Sequence, residues 1–245
     1  MADTRASETP DALRRLLAAA RCVLFDFDGP VCRLFAGRSS ADIAARLREW
    51  MLAEGHGEAV RLAHEAFADA YTVMRHLAAT GADPVVIAAV EKHLTQEELA
   101  ATATAWPTPH ADPLIHTLRA IGRQVAVATN NAPEPVHRYL EDRGLANCFG
   151  PHIHGRTEDA LRLKPDPSSL RRALASTGVS AAEAVMLGDS WVDLEAARAL
   201  DVPFIGYATS PEKGTLLRDR GARIVLDDLF PLLQATLSLR STPAM

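Results

Sequence analysis

Cysteine is scarce in this chain of 245 residues, which contains three, Cys22, Cys32 and Cys148. They are widely spaced, form no Cys-x-x-Cys pair and cannot all be joined in internal disulfides. This usage argues against a disulfide framework and against a structural zinc site. We therefore expect a reducing, cytoplasmic environment for the protein.

Long apolar runs and a strong charge of one sign are missing as well. The longest early apolar run, Leu16–Ala20, is far shorter than the roughly 20 residues that a helix needs to span a bilayer. Asp3, Glu8 and Asp11 precede it, which is atypical of a secretory signal peptide. Because 26 Lys and Arg face 31 Asp and Glu, the net charge is only −5. This balance predicts neither a nucleic-acid partner nor a membrane partner.

What remains is the composition of a globular domain. Apolar residues make up 48% of the chain and charged residues 23%, which excludes a disordered or collagenous chain. The length suits one large domain, or a domain that carries an inserted subdomain. Residues 1–20 are expected to form an N-terminal extension with a surface helix over Pro10–Ala20.

Short apolar strands alternate with helices through most of the chain. A first strand is predicted over Arg21–Asp26, whereas the segment Ser40–Ala105 has helical spacing and almost no strand signal. Five later strands are predicted over Gln124–Thr129, His152–His154, Ala184–Leu187, Val202–Gly206 and Arg223–Leu226. The alternation predicts an α/β fold with a Rossmann-like, doubly wound parallel sheet that is covered by helices on both faces.

Polar residues follow three of these strands at the point where each strand ends. The motifs are Asp26-Phe27-Asp28-Gly29 after the first strand, Thr129-Asn130-Asn131 after the second, and Gly188-Asp189-Ser190 followed by Asp193. The pair Lys164-Pro165 lies between the second and third of these motifs. Because ligands bind beyond the carboxyl ends of the strands in open parallel sheets, we expect these side chains to lie close together.

Such a set of side chains predicts phosphoryl-transfer chemistry. Carboxylates that point at one place repel each other unless a cation neutralises them, and oxygen ligands suit Mg²⁺. A metal-bound carboxylate stays ionised and can attack phosphorus, as in aspartyl-phosphate chemistry. The metal and a lysine would offset the charge of the phosphoryl oxygens. A second carboxylate could protonate the leaving oxygen and then activate water.

Each motif taken alone also has an ordinary structural interpretation. Asp26 and Asp28 could serve a helix cap and a loop turn, and the asparagines of the second motif favour turns. Asp166 and Pro167 begin a helix in either case, which leaves Lys164 as the chemical residue of its segment. The four motifs occur together and in order, and this joint occurrence favours the functional interpretation.

The ordered set resembles the motifs of the haloacid dehalogenase-like (HAD) superfamily of phosphohydrolases. The matching pieces are Asp26-x-Asp28-Gly29, Thr129-Asn130, Lys164-Pro165-Asp166-Pro167 and Gly188-Asp189-Ser190-x-x-Asp193. The resemblance covers the chain from about Arg21 to Leu229. It implies a catalytic core made of residues 21–32 and 107–245, with an all-helical cap domain, residues 33–106, inserted after the first motif.

The resemblance also implies catalytic and substrate-binding roles. Asp26 resembles the nucleophile that becomes aspartyl-phosphate, and Asp28 resembles the general acid and base. Lys164 would neutralise charge between the nucleophile and the phosphate. Thr129 would bind the phosphoryl group, and Asn130 would help to orient the site.

A magnesium site is implied in the same way. Asp26, the backbone carbonyl of Asp28, and Asp189 would hold Mg²⁺, which is the expected cofactor. Asp193 would hold a metal-bound water or support Lys164.

Two departures from the family's pattern concern the first motif and the segment after it. Pro30 stands where the family usually has Thr or Val, and proline has no backbone N–H, so the loop must be held by other contacts if that amide normally supports it. The run Val31–Gly37 lacks the acid and the small hydroxyl residue that many cap-bearing relatives carry, which weakens any transfer of substrate identity. Dehalogenases typically lack the second acid of the first motif, so the presence of Asp28 favours phosphate-ester hydrolysis.

We therefore expect a Mg²⁺-dependent phosphatase that hydrolyses a small soluble phosphate monoester, because a cap that closes over the site limits substrate size. The alternative within enzymes is a phosphomutase that uses the same aspartyl-phosphate. The alternative of another class is a non-catalytic binding protein that keeps the fold, although its buried charges would then destabilise it without a bound ion. Arg33, Arg38 and Arg75 could reach a substrate anion, but a surface salt bridge is the more ordinary role for each.

Overall fold

The computed structural model describes residues 4–36 and 38–240 of the chain. Within these residues lie eight strands, over Cys22–Phe25 (β1), Cys32–Arg33 (β2), Trp106–Pro107 (β3), Gln124–Ala128 (β4), Ile153–His154 (β5), Ala184–Gly188 (β6), Phe204–Tyr207 (β7) and Ile224–Leu226 (β8). Six of them form one parallel sheet in the order β5-β4-β1-β6-β7-β8. The other two, β2 and β3, pair as a short antiparallel ribbon.

The order of the strands confirms the predicted doubly wound sheet. From β1 the chain builds β4 and β5 on one side, then crosses over and builds β6, β7 and β8 on the other. Phe25 at the end of β1 pairs with Val127 of β4 and with Leu187 of β6, so three strands end at one level. In sheets of this order, ligands bind at the carboxyl edge where the winding reverses, which is beside β1 and β6 here.

Both faces of the sheet are buried, which explains why its strands are continuous apolar runs. Along β1, Val23 and Phe25 contribute to one hydrophobic cluster, whereas Cys22 and Leu24 contribute to the cluster on the opposite face. The alternation follows from the two-residue period of a strand. The side chain of Asp26, the next residue, is therefore presented at the edge of a rigid strand.

Twelve α-helices lie within the described residues: Thr4–Ala19 (α1), Ser40–Ala53 (α2), Gly57–Leu62 (α3), Ala70–Ala79 (α4), Pro84–Thr102 (α5), Ala111–Ala120 (α6), Pro133–Asp142 (α7), Ala146–Phe149 (α8), Ser168–Thr177 (α9), Trp191–Arg198 (α10), Pro211–Asp219 (α11) and Phe230–Arg240 (α12). Three short 3₁₀ turns occupy His64–Ala66, Ala160–Arg162 and Ala181–Glu183. In the part of the chain that the structure describes, no helix has both the length and the apolar character needed to cross a membrane.

Helix α1 differs from the predicted surface helix. It begins at Thr4 rather than at Pro10, and it packs against α12. Leu13 and Leu17 are buried in the main core, because apolar residues recur on one face of the helix. The helix therefore contributes to the hydrophobic core, and the first three residues of the predicted extension lie outside the described residues.

The helices α2 to α5 confirm that an all-helical segment is inserted between β2 and β3. They enclose a hydrophobic cluster of their own, which includes Leu47, Met51, Val73 and Leu94. Leu163 of the core also belongs to this cluster and is directly followed by Lys164. The ribbon of β2 and β3 lies where the sequence places the two domain boundaries, and the division into residue ranges stays a prediction.

Candidate active site

The first motif forms a tight loop at the end of β1. The N–H groups of Val31 and Cys32 both donate to the carbonyl of Phe27, at 3.2 and 3.1 Å. The Oδ1 atom of Asp28 accepts a hydrogen bond of 2.9 Å from the N–H of Leu34. Asp26 precedes this loop with 8% of its surface exposed. The loop thus holds two carboxylates at the carboxyl edge of the sheet.

Thr108 holds the part of the loop that contains Pro30. Its hydroxyl donates to the carbonyl of Gly29 at 2.5 Å, and its N–H donates to the carbonyl of Val31 at 3.1 Å. Proline itself has no N–H to donate. Thr108 directly follows β3, so the segment after the helical insertion stabilises the loop of the first motif.

Lys164, which belongs to the third motif, contacts carboxylates of the first and the fourth motifs. Its Nζ atom lies 2.9 Å from Oδ1 of Asp26, 2.5 Å from Oδ1 of Asp193 and 2.9 Å from the carbonyl of Ala128. Its side chain is only 2% exposed. Burial lowers the pKa of Lys164, but the carboxylates of Asp193 and Asp26 outweigh this effect and raise the pKa above its usual value. The ammonium group therefore stays protonated beside the predicted nucleophile.

Asp193 contacts Lys164, and its predicted role, to support this lysine or to hold a metal-bound water, stays a prediction. Its second oxygen, Oδ2, accepts hydrogen bonds from the N–H and the hydroxyl of Ser190, at 3.0 and 2.5 Å. Ser190 and Asp193 thereby form the capping box that begins α10. With both oxygens engaged in this way, Asp193 is held beside the lysine.

The second motif holds the main chain of Lys164. The Oδ1 atom of Asn130 accepts from the Lys164 N–H at 2.7 Å, and its Nδ2 atom donates to the Lys164 carbonyl at 3.3 Å. Thr129 is 1% exposed, and its hydroxyl donates to Oδ1 of Asn131 at 2.8 Å. Thr129 and Asn130 both line the cavity of the site, and the binding of a phosphoryl group by Thr129 stays a prediction.

The carboxylates of the site are crowded. Burial raises the pKa of Asp26 above its usual range, to about 7, and the neighbouring Asp193 adds to this shift while Lys164 opposes it. Burial likewise raises the pKa of Asp28 and of Asp189, in each case to about 6. Nearby carboxylates raise each other's pKa because their negative charges repel, and a bound cation reverses this effect.

The donor set fits a divalent cation. Asp26, Asp189 and Asp193 each offer a carboxylate oxygen, and these oxygens lie within 4.8 Å of one another. Together with Asp28, four carboxylates face the ammonium groups of Lys164 and Lys213, which leaves two negative charges in excess. Mg²⁺ would balance this excess, and carboxylate oxygens are among its preferred ligands.

Lys213 is a residue of the site that sequence reasoning missed. Its Nζ atom lies 2.7 Å from Oδ2 of Asp189, and it is carried by α11, a helix that was not predicted. A signal for this helix exists, because Ser210 accepts from the Lys213 N–H as N-cap and Pro211 takes the first helical position. Because α11 follows β7, a parallel strand of the sheet, it begins at the carboxyl edge of the sheet.

A second feature that the sequence did not reveal is a buried network centred on Glu98 of α5. Glu98 is fully buried and accepts from Nδ2 of Asn131 at 3.0 Å, from the N–H of Ala132 at 3.0 Å and from the hydroxyl of Tyr71 at 2.8 Å. Nη1 of Arg156 donates to it at 2.7 Å. No local pattern marks these residues, which join the helical insertion to the loop after β4.

The side chains of the site open onto one cavity of about 710 Å³. Asp26, Lys164 and Asp189 line it from the core. Tyr71 and Arg75 line it from α4 of the helical insertion. The cavity has the size of a small-molecule site, with polar groups that converge on one end of it.

Comparison with known proteins places this arrangement in a family. A family model described as haloacid dehalogenase-like hydrolase matches residues 20–201. The chain belongs to this family. The four motifs that carried the resemblance in the sequence lie within the matched residues, so the prediction of a HAD-like hydrolase is confirmed.

Two relatives of known name match this HAD-like hydrolase along most of its length. A phosphoglycolate phosphatase of Rhodospirillum rubrum is 33% identical over 227 residues, which cover 86% of this chain and 89% of that one. A phosphoglycolate phosphatase of Pseudomonas putida is 29% identical over 225 residues, which cover 87% of this chain and 78% of that one. The likeness therefore spans both the sheet and the helical insertion.

Solved structures with the same fold include CbbY from Rhodobacter sphaeroides in complex with phosphate. It has a TM-score of 0.62 at 22% identity, and the match covers 85% of this chain and 94% of that one. A predicted phosphatase from Clostridium acetobutylicum has a TM-score of 0.62 at 20% identity, with 89% and 99% covered. These matches confirm the Rossmann-like core with its helical insertion.

Proposed function

We propose that this HAD-like hydrolase is a Mg²⁺-dependent phosphatase that hydrolyses a small phosphate monoester through an aspartyl-phosphate on Asp26. The observation that carries the proposal is the position of the Lys164 ammonium group, 2.9 Å from Asp26 and 2.5 Å from Asp193. A buried lysine fixed beside a carboxylate at the carboxyl edge of the sheet suits the stabilisation of charge on a transferred phosphoryl group.

In the first half of the reaction, Asp26 attacks the phosphorus atom of the substrate. Lys164 binds its Oδ1 atom, which leaves Oδ2 to form the new P–O bond. The bond between phosphorus and the ester oxygen breaks, and Asp28 donates its proton to that oxygen. Burial raises the pKa of Asp28 to about 6, which suits a proton transfer near neutral pH.

In the second half, Asp28 accepts a proton from a water molecule, whose oxygen attacks the phosphorus atom of the aspartyl-phosphate. The bond between phosphorus and Asp26 breaks, which regenerates the Asp26 carboxylate and releases inorganic phosphate. Asp26, Asp189 and the backbone carbonyl of Asp28 would hold Mg²⁺. When bound, Mg²⁺ supplies positive charge that offsets the charge of the phosphoryl oxygens.

The relatives suggest which substrate to test first. Two of them carry the name phosphoglycolate phosphatase, and they match along both the core and the helical insertion. The cavity of about 710 Å³ has room for a substrate of this size. We therefore propose 2-phosphoglycolate as the first member of a panel of small phosphate monoesters.

The test is phosphate release by the purified protein from this panel, with Mg²⁺ and with EDTA. We expect Mg²⁺-dependent release, a phosphorylated protein detectable by mass spectrometry after rapid quenching, and the loss of both in Asp26→Asn. Asp219→Asn, which removes the same charge at an exposed position, is the matched control and keeps full activity.

Three results would contradict the proposal. Near-normal turnover by Asp26→Asn would show that the nucleophile is another residue. An isomerised sugar phosphate without free phosphate would identify a phosphomutase. No turnover across the panel, together with binding of phosphate esters, would identify a binding protein.

A further inference from the structure

The cationic side chains that line the cavity differ in their partners. Lys164 and Lys213 are bound to carboxylates of the site, as described above. Arg38 lies 3.9 Å from Glu97 and over the ring of Phe35. These three cations therefore have partners in the protein itself.

Arg75 lines the same cavity without such a partner. Its Nη1 atom donates to the carbonyl of Lys164 at 3.1 Å, and no carboxylate among the described residues forms an ion pair with it. An arginine has further N–H donors beyond the one used here. The residue as a whole is half-buried.

The surroundings hold Arg75 on the wall of the cavity, in contact with the main chain of Lys164. Its helix, α4, is anchored through Val73, Met74 and Leu77, which are buried in the cluster of the insertion. The carbonyl that Arg75 contacts belongs to Lys164, the residue whose ammonium group binds Asp26. Arg75 and Asp26 therefore contact the same residue and line the same cavity.

The carboxylate of Asp69 also lines the cavity, and it is engaged elsewhere. It accepts hydrogen bonds from the N–H and the hydroxyl of Thr72, at 2.8 and 2.9 Å, as the N-cap of α4. Arg33, a further cation of the cavity wall, lies over the ring of Trp106 and is exposed. Arg75 is thus distinguished from Arg33 by its burial and from Arg38 by its lack of a carboxylate.

We propose that Arg75 binds a second anionic group of the substrate and so determines specificity. A guanidinium group binds a carboxylate or a phosphate through two parallel hydrogen bonds, which a neutral group does not match. The preferred substrate is then a small phosphate monoester with an anion at its other end. This inference rests on the proposed phosphatase function and adds the class of its substrate.

The experiment compares three substrates of similar size. They are 2-phosphoglycolate, which carries a carboxylate, ethylene glycol bisphosphate, which carries a second phosphate, and 2-hydroxyethyl phosphate, which carries a neutral hydroxyl. For the wild-type protein we expect kcat/KM of at least one anionic substrate to exceed that of the neutral one by at least about 10-fold. The two anionic substrates show which anion the site accepts.

The Arg75→Gln variant then tests the residue. We expect it to lower kcat/KM of the preferred anionic substrate by about 10- to 100-fold, because a charged hydrogen bond is lost, and that of 2-hydroxyethyl phosphate by less than about 2-fold. Arg75→Lys keeps the charge and loses the planar guanidinium group. Its kcat/KM for the preferred anionic substrate should lie between the values of the wild-type protein and of Arg75→Gln. Arg48→Gln, at an exposed position of α2 outside the cavity, is the matched control and should leave kcat/KM of all three substrates unchanged.

Two results separate the failure of this inference from the failure of the function. An equal loss on all substrates in Arg75→Gln would mean that Arg75 only supports the Lys164 loop, as would a wild-type protein that does not distinguish the substrates. Both results leave the phosphatase function intact. No hydrolysis of any substrate by the wild-type protein would overturn the function and the inference together.

Discussion

Gly29 shows how closely the groups of the site approach each other. Its φ angle is +114°, a region that side chains with a Cβ atom rarely adopt. A Cβ atom at this position would lie 2.6 Å from Cγ of Asp189. The loop after β1 and the loop after β6 can therefore meet only because residue 29 has no side chain.

The Gly29→Ala variant should for this reason lose activity. The added methyl group displaces Asp189, so we expect a Mg²⁺ concentration for half-maximal phosphatase activity at least about 10-fold higher, or no activity. Gly144→Ala is the matched control, since Gly144 also has a positive φ, +70°, but nothing lies within 4 Å of its added Cβ. Both variants should lose about 1 to 3 kcal/mol of stability in a denaturant titration, and only the first should lose activity.

Asp28 supports a separate prediction about proton transfer. Asp28→Asn keeps the size of the side chain and its contact with the N–H of Leu34, but an amide is not acidic enough to protonate a leaving oxygen. We expect kcat to fall by about 100- to 10,000-fold, while inorganic phosphate still binds as an inhibitor of unchanged affinity. The check is a steady-state assay with phosphate as competitor, and an unchanged kcat would refute the role of Asp28.

At the scale of elements, helix α5 is joined to the core by a buried ion pair. Glu98 of α5 and Arg156 of the core are 0% and 1% exposed in their side chains. Glu98 also contacts Asn131, whose Oδ1 atom accepts from the hydroxyl of Thr129. The position of one helix of the insertion is thereby linked to Thr129, a side chain that lines the cavity.

Removal of this ion pair should destabilise the protein strongly. We expect Glu98→Gln to lower the free energy of unfolding by about 3 kcal/mol, because the buried charge of Arg156 then keeps only Glu91, which is 32% exposed, as an ion-pair partner. The neighbouring Glu97→Gln is the matched control, since Glu97 is 28% exposed and its ion pairs with Arg38 and Arg46 lie at the surface. It should lose at most about 1 kcal/mol in the same urea titration. Equal losses of stability in the two variants would mean that the buried ion pair contributes no more to stability than the surface pairs of Glu97.

At the scale of the whole molecule, negative charge is concentrated at one edge of the sheet although the chain as a whole has a net charge of only −5. Four carboxylates, two from the loop after β1 and two from the segment after β6, meet two lysines at this edge. Folding brings these charges together, so a divalent cation that binds there stabilises the folded state over the unfolded one.

Mg²⁺ should therefore raise the melting temperature. At 100 times the dissociation constant, ligand binding stabilises a folded protein by about 2.7 kcal/mol. We expect thermal denaturation in Mg²⁺ to occur several degrees above that in EDTA. NaCl of equal ionic strength should have no such effect, and the difference should shrink in Asp189→Asn. A melting temperature that is the same in Mg²⁺ and EDTA would argue against the magnesium site.

Patterns along the chain were enough to predict those parts of the molecule that depend on neighbouring residues. The apolar run before Asp26, the alternation of strands and helices, and the order of the four motifs are local patterns. They were sufficient to predict the parallel sheet, the helical insertion and the family. Helix α11 was missed although its Ser210-Pro211 start is also a local signal.

The tertiary structure alone decided which distant residues meet. Lys213 lies 24 residues from Asp189, and Arg156 lies 58 residues from Glu98. No pattern along the chain encodes such pairs, because they arise when separate elements pack and exclude water from charged groups. That Arg75 has no carboxylate partner among the described residues is of the same kind, since it depends on every neighbour that folding brings to the cavity.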